Sequence, residues 1–330
     1  MRGVSCGSYS KLSKKKLTLA IPLVMVLGLI MGFIADVRFL SALIIPMTLL
    51  MVYPMMVNLK FQELLNVGDK RLQLMALLIN FTLIPAIAVL LNYLFLKDIP
   101  YAALGLLLAS LVPTSGMTIS WTGFTKGNLP AAVKMTVIGL ILGSLLTPLY
   151  ASVLIGQSIS IPMAKVFSSI IFVVFLPMVL GFSTKKYLVK KYGQPHYQQH
   201  LAKKFPPVST LGVLGIVFIA MALNAQLILG DPMLMLQYLL PLALLYMANF
   251  VLSTLIGKFW FNRGDAIALV YGTVMRNLSI ALAIAMTAFG TQGSQIAIII
   301  ALGYIIQVQA AAWYVKFTDR LFGSPQAAAV

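Results

Sequence analysis

The chain has 330 residues, of which 60% are hydrophobic and only 9% are charged, and its formal net charge is +17. Soluble domains carry about 25% charged residues, so this composition excludes a water-soluble globular protein. In a soluble chain the positive charge would indicate nucleic-acid binding. Here the basic residues lie almost entirely between apolar stretches, which is a signal of membrane topology instead.

Apolar stretches of about 18 residues or more recur along the whole chain, as expected for membrane-spanning helices. They predict an all-α membrane protein of about ten transmembrane helices, in one polytopic domain. The first stretch resembles a signal peptide, but it is too long and lacks a small-x-small cleavage site, so we interpret it as a span. The predicted spans are 17–35, 39–57, 73–96, 101–125, 129–154, 162–182, 206–228, 235–256, 266–289 and 294–317.

The connections between spans are short turns, with the exception of 58–72 and 183–205. The 183–205 segment is rich in lysine, and we expect a solvated loop that touches anionic lipid headgroups. It is too short to be a signalling domain, which argues against a sensor or scaffold.

The distribution of Lys and Arg predicts the orientation in the membrane. With a cytoplasmic N-terminus, only Arg38, Lys97 and Lys165 lie outside, and nearly all other basic residues lie in cytoplasmic segments. This asymmetry predicts a plasma-membrane (bacterial inner-membrane) protein with both termini in the cytoplasm.

Residues that perform acid–base or metal chemistry are missing from the predicted spans. All seven acidic residues lie in or next to connections, and His196 and His200 both lie in the basic 183–205 segment. These two histidines could bind a metal, but no carboxylate or cysteine is near them in sequence. An intramembrane enzyme would need such residues at membrane depth, so we predict a protein that is not an enzyme and has no metal or cofactor.

Two predicted spans contain residues that interrupt helices. The fourth carries Pro-Thr-Ser-Gly at 113–116, and the ninth carries Gly-Thr at 272–273 followed by Arg276 and Asn277. Unwound backbone in a membrane is tolerated only beside protein or a polar cavity, so a pair of such breaks points to a transporter site. Alternatively, Pro and Gly only kink these helices.

The two interrupted spans hold equivalent places in the two halves of the chain. Five spans in each half require that the second half enter the membrane inverted. We therefore predict two inverted five-helix repeats at about 17–154 and 162–317, with tails at 1–16 and 318–330.

Two cations lie inside predicted spans, Lys134 in the fifth and Arg276 in the ninth. A charge at this depth costs about 2.5–3.5 kcal/mol, so such residues usually have a function. Arg276 is too deep to reach the interface easily, whereas Lys134 could extend to it. Without an acidic partner, either cation needs carbonyls, amides or a bound anion. This favours a transporter of an anionic or oxyanion solute, or one in which a fixed positive charge replaces a mobile cation.

Hydroxyl and amide side chains cluster around the same interruptions. The predicted solute-binding residues are Thr114, Ser115, Thr118, Arg276 and Asn277, and the predicted coupling or charge-substituting residues are Lys134, Thr136 and Arg276. Each hydroxyl could instead bond the preceding turn of its own helix. Further polar candidates, mostly near span ends, are Asn58, Asn224, Gln226, Gln307 and Gln309.

The run from Pro113 to Asn128 (PTSGMTISWTGFTKGN) resembles the fourth helix of the bile acid:sodium symporter superfamily, and most closely that of its arsenite permease branch. The segment 52–58 (VYPMMVN) resembles the second helix of that branch. The resemblance extends over the full chain through the number of spans and the position of the breaks. It implies a panel domain and a core domain, with two discontinuous helices that cross in the core.

The chain departs from this family at its functional positions. Thr114 stands where arsenite permeases carry an essential cysteine, and a hydroxyl is a poorer ligand for a soft metalloid than a thiolate. The family also has a glutamate near the break of the ninth helix, and in its sodium-coupled branch that glutamate and a glutamine hold sodium. Gly272 and Arg276 occupy the matching places here.

The sodium-site hydroxyls of the family are matched only in part. Thr118 and Thr136 match them, whereas Ile119 and Ala132 do not. We therefore expect a secondary transporter of a small organic anion or oxyanion that lacks the usual sodium sites. The alternative is an arsenite efflux permease with a site that does not use a thiol.

Overall fold

The computed structural model describes residues 6–59, 69–155, 162–231 and 233–324, and the side chains of these residues from 20 onward, except that of 155. The predicted 58–72 connection and the outer ends of both predicted tails lie partly outside these residues. The described chain is helical throughout, and its α-helices are α1 (Cys6–Ile34), α2 (Ile44–Val57), α3 (Lys70–Leu78), α4 (Ile84–Phe95), α5 (Pro100–Leu111), α6 (Gly116–Phe124), α7 (Leu129–Ile155), α8 (Met163–Ile170), α9 (Leu176–Tyr192), α10 (Gln194–His196), α11 (Phe205–Leu223), α12 (Ala225–Gly230), α13 (Met233–Trp260), α14 (Arg263–Val274), α15 (Leu278–Ala288) and α16 (Gly293–Phe322).

The protein is an all-α membrane protein. Seven helical segments of the described chain are long and apolar enough to cross a bilayer. Large apolar side chains cover the outside, and Val153 and Phe259 are each 75% exposed. Such a surface fits a lipid environment rather than water.

Both predicted interruptions are present. The fourth span is divided into α5 and α6, and the ninth into α14 and α15. In the ninth span Gly272 and Thr273 still belong to the last turn of α14, because a glycine alone does not end a buried helix, and the break lies at 275–277. Every residue from Ala266 to Val274 is buried, so the half-helices of the ninth span lie at the centre of the protein rather than against lipid.

Helices α1 and α11 pack closely because small residues lie at their contact. Gly28 and Gly32 of α1 face α11, and a β-carbon at Gly32 would lie 2.0 Å from the carbonyl oxygen of Ala222. This spacing of two glycines four residues apart lets two membrane helices approach until their backbones touch.

The basic 183–205 segment is not the loop that the sequence predicted. Helix α9 continues to Tyr192, and after Gly193 a run of short helical turns leads from Gln194 to Lys204. Hydropathy marks where the chain leaves lipid, but lysine, tyrosine and leucine are compatible with a helix that continues into water. The end of the apolar stretch therefore did not mark the end of the helix.

Further predicted spans are irregular in ways that hydropathy does not reveal. In the span at 162–182 a π-helical turn, Ile171–Phe175, joins α8 to α9. The span at 73–96 consists of α3 and α4 joined by a π-helical turn, Ile79–Leu83. The span at 206–228 breaks at Asn224, between α11 and α12. Single π-helical turns within α-helices are frequent at functional sites.

Candidate functional site between the helix interruptions

The interruption between α5 and α6 is closed by a capping box. The Ser115 hydroxyl accepts a hydrogen bond from the backbone N–H of Met117 at 3.2 Å, and the Thr118 hydroxyl accepts one from the N–H of Ser115, also at 3.2 Å. Proline at 113 has no N–H to satisfy. The first donors of α6 are thus satisfied by residues adjacent in sequence.

Thr114 has a strained backbone at this interruption, with φ of +62°. A positive φ is rare for a β-branched residue and marks a turn imposed by the surroundings. Its hydroxyl donates to the carbonyl oxygen of Pro113 at 2.6 Å and lies 3.3 Å from those of Met135 and Thr136 in α7. The side chain therefore faces the backbone of the interruption itself and of α7.

The interruption between α14 and α15 has no left-handed residue. Met275 is extended, and the Asn277 side chain caps α15 by accepting from the N–H of Ile280 at 3.3 Å. The backbone of this segment is paired only in part with its own neighbours, as where the N–H of Met275 donates to the carbonyl oxygen of Tyr271 at 3.3 Å, and in part with groups from distant helices.

The two interruptions meet. Pro113 and Arg276 form an isolated antiparallel bridge, and the N–H of Asn277 donates to the carbonyl oxygen of Val112 at 2.9 Å. Backbone groups that each half-helix leaves open are in this way paired across the crossing point. This contact fixes the N-termini of α6 and α15 beside each other.

Three amide side chains bind the open backbone of the ninth span. Gln307 of α16 pairs with both backbone groups of Arg276, since its Oε1 accepts from the N–H at 2.7 Å and its Nε2 donates to the C=O at 3.3 Å. Asn80 donates to the carbonyl of Gly272 at 3.1 Å, and Asn249 of α13 donates to that of Thr273 at 2.8 Å. These carbonyls form the C-terminal end of α14, which would otherwise be unpaired.

The guanidinium of Arg276 lies inside the protein, and the residue is only 2% exposed. Its Nη1 donates to Oδ1 of Asn80 at 2.8 Å, while Nη2 has no hydrogen-bond partner among the described residues. The ion pairs of the described chain involve Arg38 and Arg263, so no carboxylate there neutralises Arg276. A buried, partly unsatisfied cation is costly unless something else binds to it.

A cavity of about 750 Å³ adjoins the crossing point. Its polar wall includes residues of both interruptions, and its other wall includes apolar side chains such as Met55 and Val213. The cavity extends to Gln194 and Gln198, which are exposed, so it reaches the surface beside the basic 183–205 segment.

The predicted site residues divide into two groups. Ser115, Thr136, Arg276 and Asn277 line the cavity. The other three, Thr114, Thr118 and Lys134, are buried but do not belong to its lining.

Two amides that support the site were missed in the sequence. Asn80 and Asn249 lie in spans that looked uniformly apolar, and their only signal was an asparagine within a membrane helix, which is expected to find a hydrogen-bond partner. Gln307 was a candidate, and it lines the cavity.

Comparison with known proteins gives consistent results. A profile of the Sodium Bile acid symporter family matches residues 45–231. The chain is 27% identical over 288 residues to the arsenical-resistance protein Acr3 of Alkaliphilus metalliredigens. The aligned region covers 82% of this chain and 79% of that relative. The chain is 22% identical over 260 residues to Acr3 of Corynebacterium glutamicum, with 75% and 70% covered. It is 21% identical over 340 residues to a Synechocystis protein named "Uncharacterized transporter slr0944", with 93% and 88% covered.

Proposed function

The chain belongs to the sodium bile acid symporter family and is a membrane transporter, and from this premise we propose that it moves a small organic anion or oxyanion by alternating access, without the usual sodium sites. The solute meets the protein where the two interrupted spans cross. Its anionic group is recognised by Arg276 and by the first residues of α6 and α15.

The observation that carries this proposal is the state of the Arg276 guanidinium. It is buried, it lacks a carboxylate partner among the described residues, and one of its nitrogens has no acceptor. A bound anion would provide both the missing acceptor and the missing charge. Hydrogen bonds between ionised groups are about twice as strong as neutral ones, so the gain at such a site is large.

The helix ends around the cavity have the sign that an anion requires. Ser115 and Asn277, the N-caps of α6 and α15, both line the cavity. The N-terminus of a helix carries a partial positive charge, and half-helices that end at the bilayer midplane are used in transporters to bind anionic groups.

The shape of the cavity supports an organic solute and one particular step of the transport cycle. A volume of about 750 Å³ suits a molecule much larger than a simple oxyanion. The cavity opens beside the 183–205 segment, which the charge distribution predicts to be cytoplasmic together with both termini. In that orientation, in the plasma membrane, this conformation faces inward.

Independence from sodium is supported by the occupation of the groups that could bind a cation. The Thr118 hydroxyl oxygen already accepts the N–H of Ser115, and the carbonyl oxygen of Ala132 already accepts the Thr136 hydroxyl at 2.8 Å. Unwound carbonyls and helix C-termini are common ligands for coupling cations. Here the C-terminal end of α14 is bound by amides and lies close to Arg276, whose fixed charge replaces a mobile cation.

Lys134 is a second candidate for a fixed or titrating charge. It is 8% exposed and lies in α7, two residues before Thr136, but it does not line the cavity. A role in coupling would require that Lys134→Arg alter the pH dependence of transport.

Arsenite efflux is the second candidate function, because two relatives are named arsenical-resistance proteins. The only cysteine of the chain is Cys6, so no thiol lies at either interruption. The hydroxyl of Thr114 is bonded to backbone carbonyls, which leaves it a poor ligand for a metalloid. Expression in an arsenite-sensitive host distinguishes the functions, since protection would favour efflux.

The proposal is tested by a thermal-shift screen of the purified protein against organic anions, inorganic oxyanions and arsenite, with sodium or choline as the cation. A ligand of the folded state raises the midpoint by mass action. We expect stabilisation by organic anions that is equal in the two salts. Stabilisation by arsenite alone, or by anions only in sodium, would contradict the proposal.

A further inference from the structure

Asn80 lies at an irregular point of a helix that belongs to neither interruption. It is in the π-helical turn Ile79–Leu83 between α3 and α4, and it is only 3% exposed. A π-helical turn inserts one extra residue and so changes the direction of the side chains that follow the α-helical repeat. At this place it brings an amide to the end of α14.

Both ends of the Asn80 amide are in use. Its Oδ1 accepts from Nη1 of Arg276 at 2.8 Å, and its Nδ2 donates to the carbonyl oxygen of Gly272 at 3.1 Å. The orientation of the amide follows from chemistry, because a guanidinium can only donate and a carbonyl can only accept. Arg276 is therefore tied to the last turn of α14 through Asn80.

We propose that Asn80 is the positioning residue of the anion site. It binds one guanidinium nitrogen and thereby holds the planar group in one orientation, in which the buried Nη2 is left without an acceptor among the described residues. This inference rests on the proposed function.

The neutrality of Asn80 is as important as its position. A carboxylate at 80 would accept the same hydrogen bond from Nη1, but it would also neutralise the guanidinium and compete with an anionic solute. An asparagine accepts the bond and leaves the unit positive charge in place. Asn80 can therefore orient the guanidinium of Arg276 without neutralising its charge.

Asn92 provides a matched control. It is a buried asparagine in α4, on the same predicted span, and its Nδ2 donates to the carbonyl oxygen of Ala103 at 2.9 Å. It contacts backbone in the same manner as Asn80, but its partner is in α5 rather than at an interruption. A purely structural role would make the two residues equivalent.

The first experiment compares Asn80→Asp with Asn92→Asp, in proteoliposomes, with the organic anion that gives the largest thermal shift in the wild type. We expect Asn80→Asp to raise KM at least tenfold, because the carboxylate neutralises the guanidinium, and to lower the melting midpoint about as much as Asn92→Asp does, because each variant loses one amide donor to a buried carbonyl. Asn92→Asp should lower the midpoint and leave KM within twofold. An unchanged KM in Asn80→Asp would overturn the inference.

The second experiment needs no solute, so it separates failure of this inference from failure of the proposed function. Arginine modification by phenylglyoxal is followed at Arg276 by peptide mass spectrometry. We expect Asn80→Ala, and also the milder Asn80→Ser if the alanine variant does not fold, to increase the modification rate at least threefold relative to Asn92→Ala. Equal rates would overturn the positioning role. An increased rate in a protein to which no anion binds would keep that role and refute the anion site.

Discussion

The interruption between α5 and α6 is closed mainly by residues adjacent in sequence, whereas the one between α14 and α15 has its own N-cap, Asn277, and depends in addition on side chains from other helices. In the first, Ser115 and Thr118 form a capping box and Thr114 takes a left-handed backbone. In the second, Gln307 and Asn80 bind the backbone and the side chain of Arg276.

This difference suggests different tasks for the two interruptions. An interruption whose backbone hydrogen bonds are made within its own segment can move as a rigid unit with the two half-helices that it joins. A break that depends on α16 and on the turn after α3 responds to the positions of those helices, and it also carries the charge. Substitutions at the second interruption should therefore affect transport more than those at the first.

The largest effect is expected for Arg276→Ala. Loss of a charge-assisted contact with an anion costs about 3 kcal/mol, so uptake should fall about 100-fold or more. The protein should still insert and elute as a single species, since no ion pair in the described chain depends on Arg276. Arg276→Lys keeps the charge but not the planar donor set and should be intermediate. Full uptake by Arg276→Ala would remove the distinction between the two interruptions.

A smaller effect is expected for Gln307→Leu. This substitution leaves the N–H and C=O of Arg276 and the Tyr246 hydroxyl, which donates to Gln307 at 2.9 Å, without their partner. Unpaired buried groups cost about 2 kcal/mol or more in total, so the melting midpoint should fall by several degrees and uptake about tenfold. The control is Gln309→Leu, at an exposed position two residues away, which should change neither quantity. Equal effects of the two variants would mean that the hydrogen bonds between Gln307 and the backbone of Arg276 are unimportant.

Thr114→Gly tests the first interruption, where the expected effect on transport is at most threefold. Glycine adopts a positive φ without strain, which offsets the loss of the hydroxyl bond and of side-chain packing. Uptake and the melting midpoint are measured together. Loss of uptake with an unchanged midpoint would instead make Thr114 a solute ligand, as its place in the sequence suggested.

The smallest effect on uptake is expected when the sodium in the assay is replaced by another cation. Replacing sodium by choline at constant ionic strength should change the initial rate of uptake less than twofold, because Arg276 already supplies a fixed charge. Strong stimulation by sodium that disappears in Thr118→Ala or Thr136→Ala would establish a sodium site at the first interruption. The first interruption would then be the more important one for transport.

The sequence predicted the interruption of the fourth span well because its causes are local. Proline without an N–H, glycine, and a serine followed three residues later by threonine act on the backbone within a few residues. The two asparagines that bind the ninth span were missed for the opposite reason. Asn80 and Arg276 are 196 residues apart, and nothing in either sequence environment identifies the other as its partner.

Hydropathy thus determined by itself that this is an all-α membrane protein, since this depends on the transfer of short segments from water to lipid, and the helix-breaking residues at 113–116 determined where the fourth span is interrupted. The tertiary structure alone decided that the breaks meet, that Gln307 and Asn80 hold Arg276, and that Thr114 faces carbonyls of α7. A buried polar group forms a hydrogen bond with whichever partner the packing of distant helices brings within about 3 Å, so that partner cannot be predicted from the local sequence.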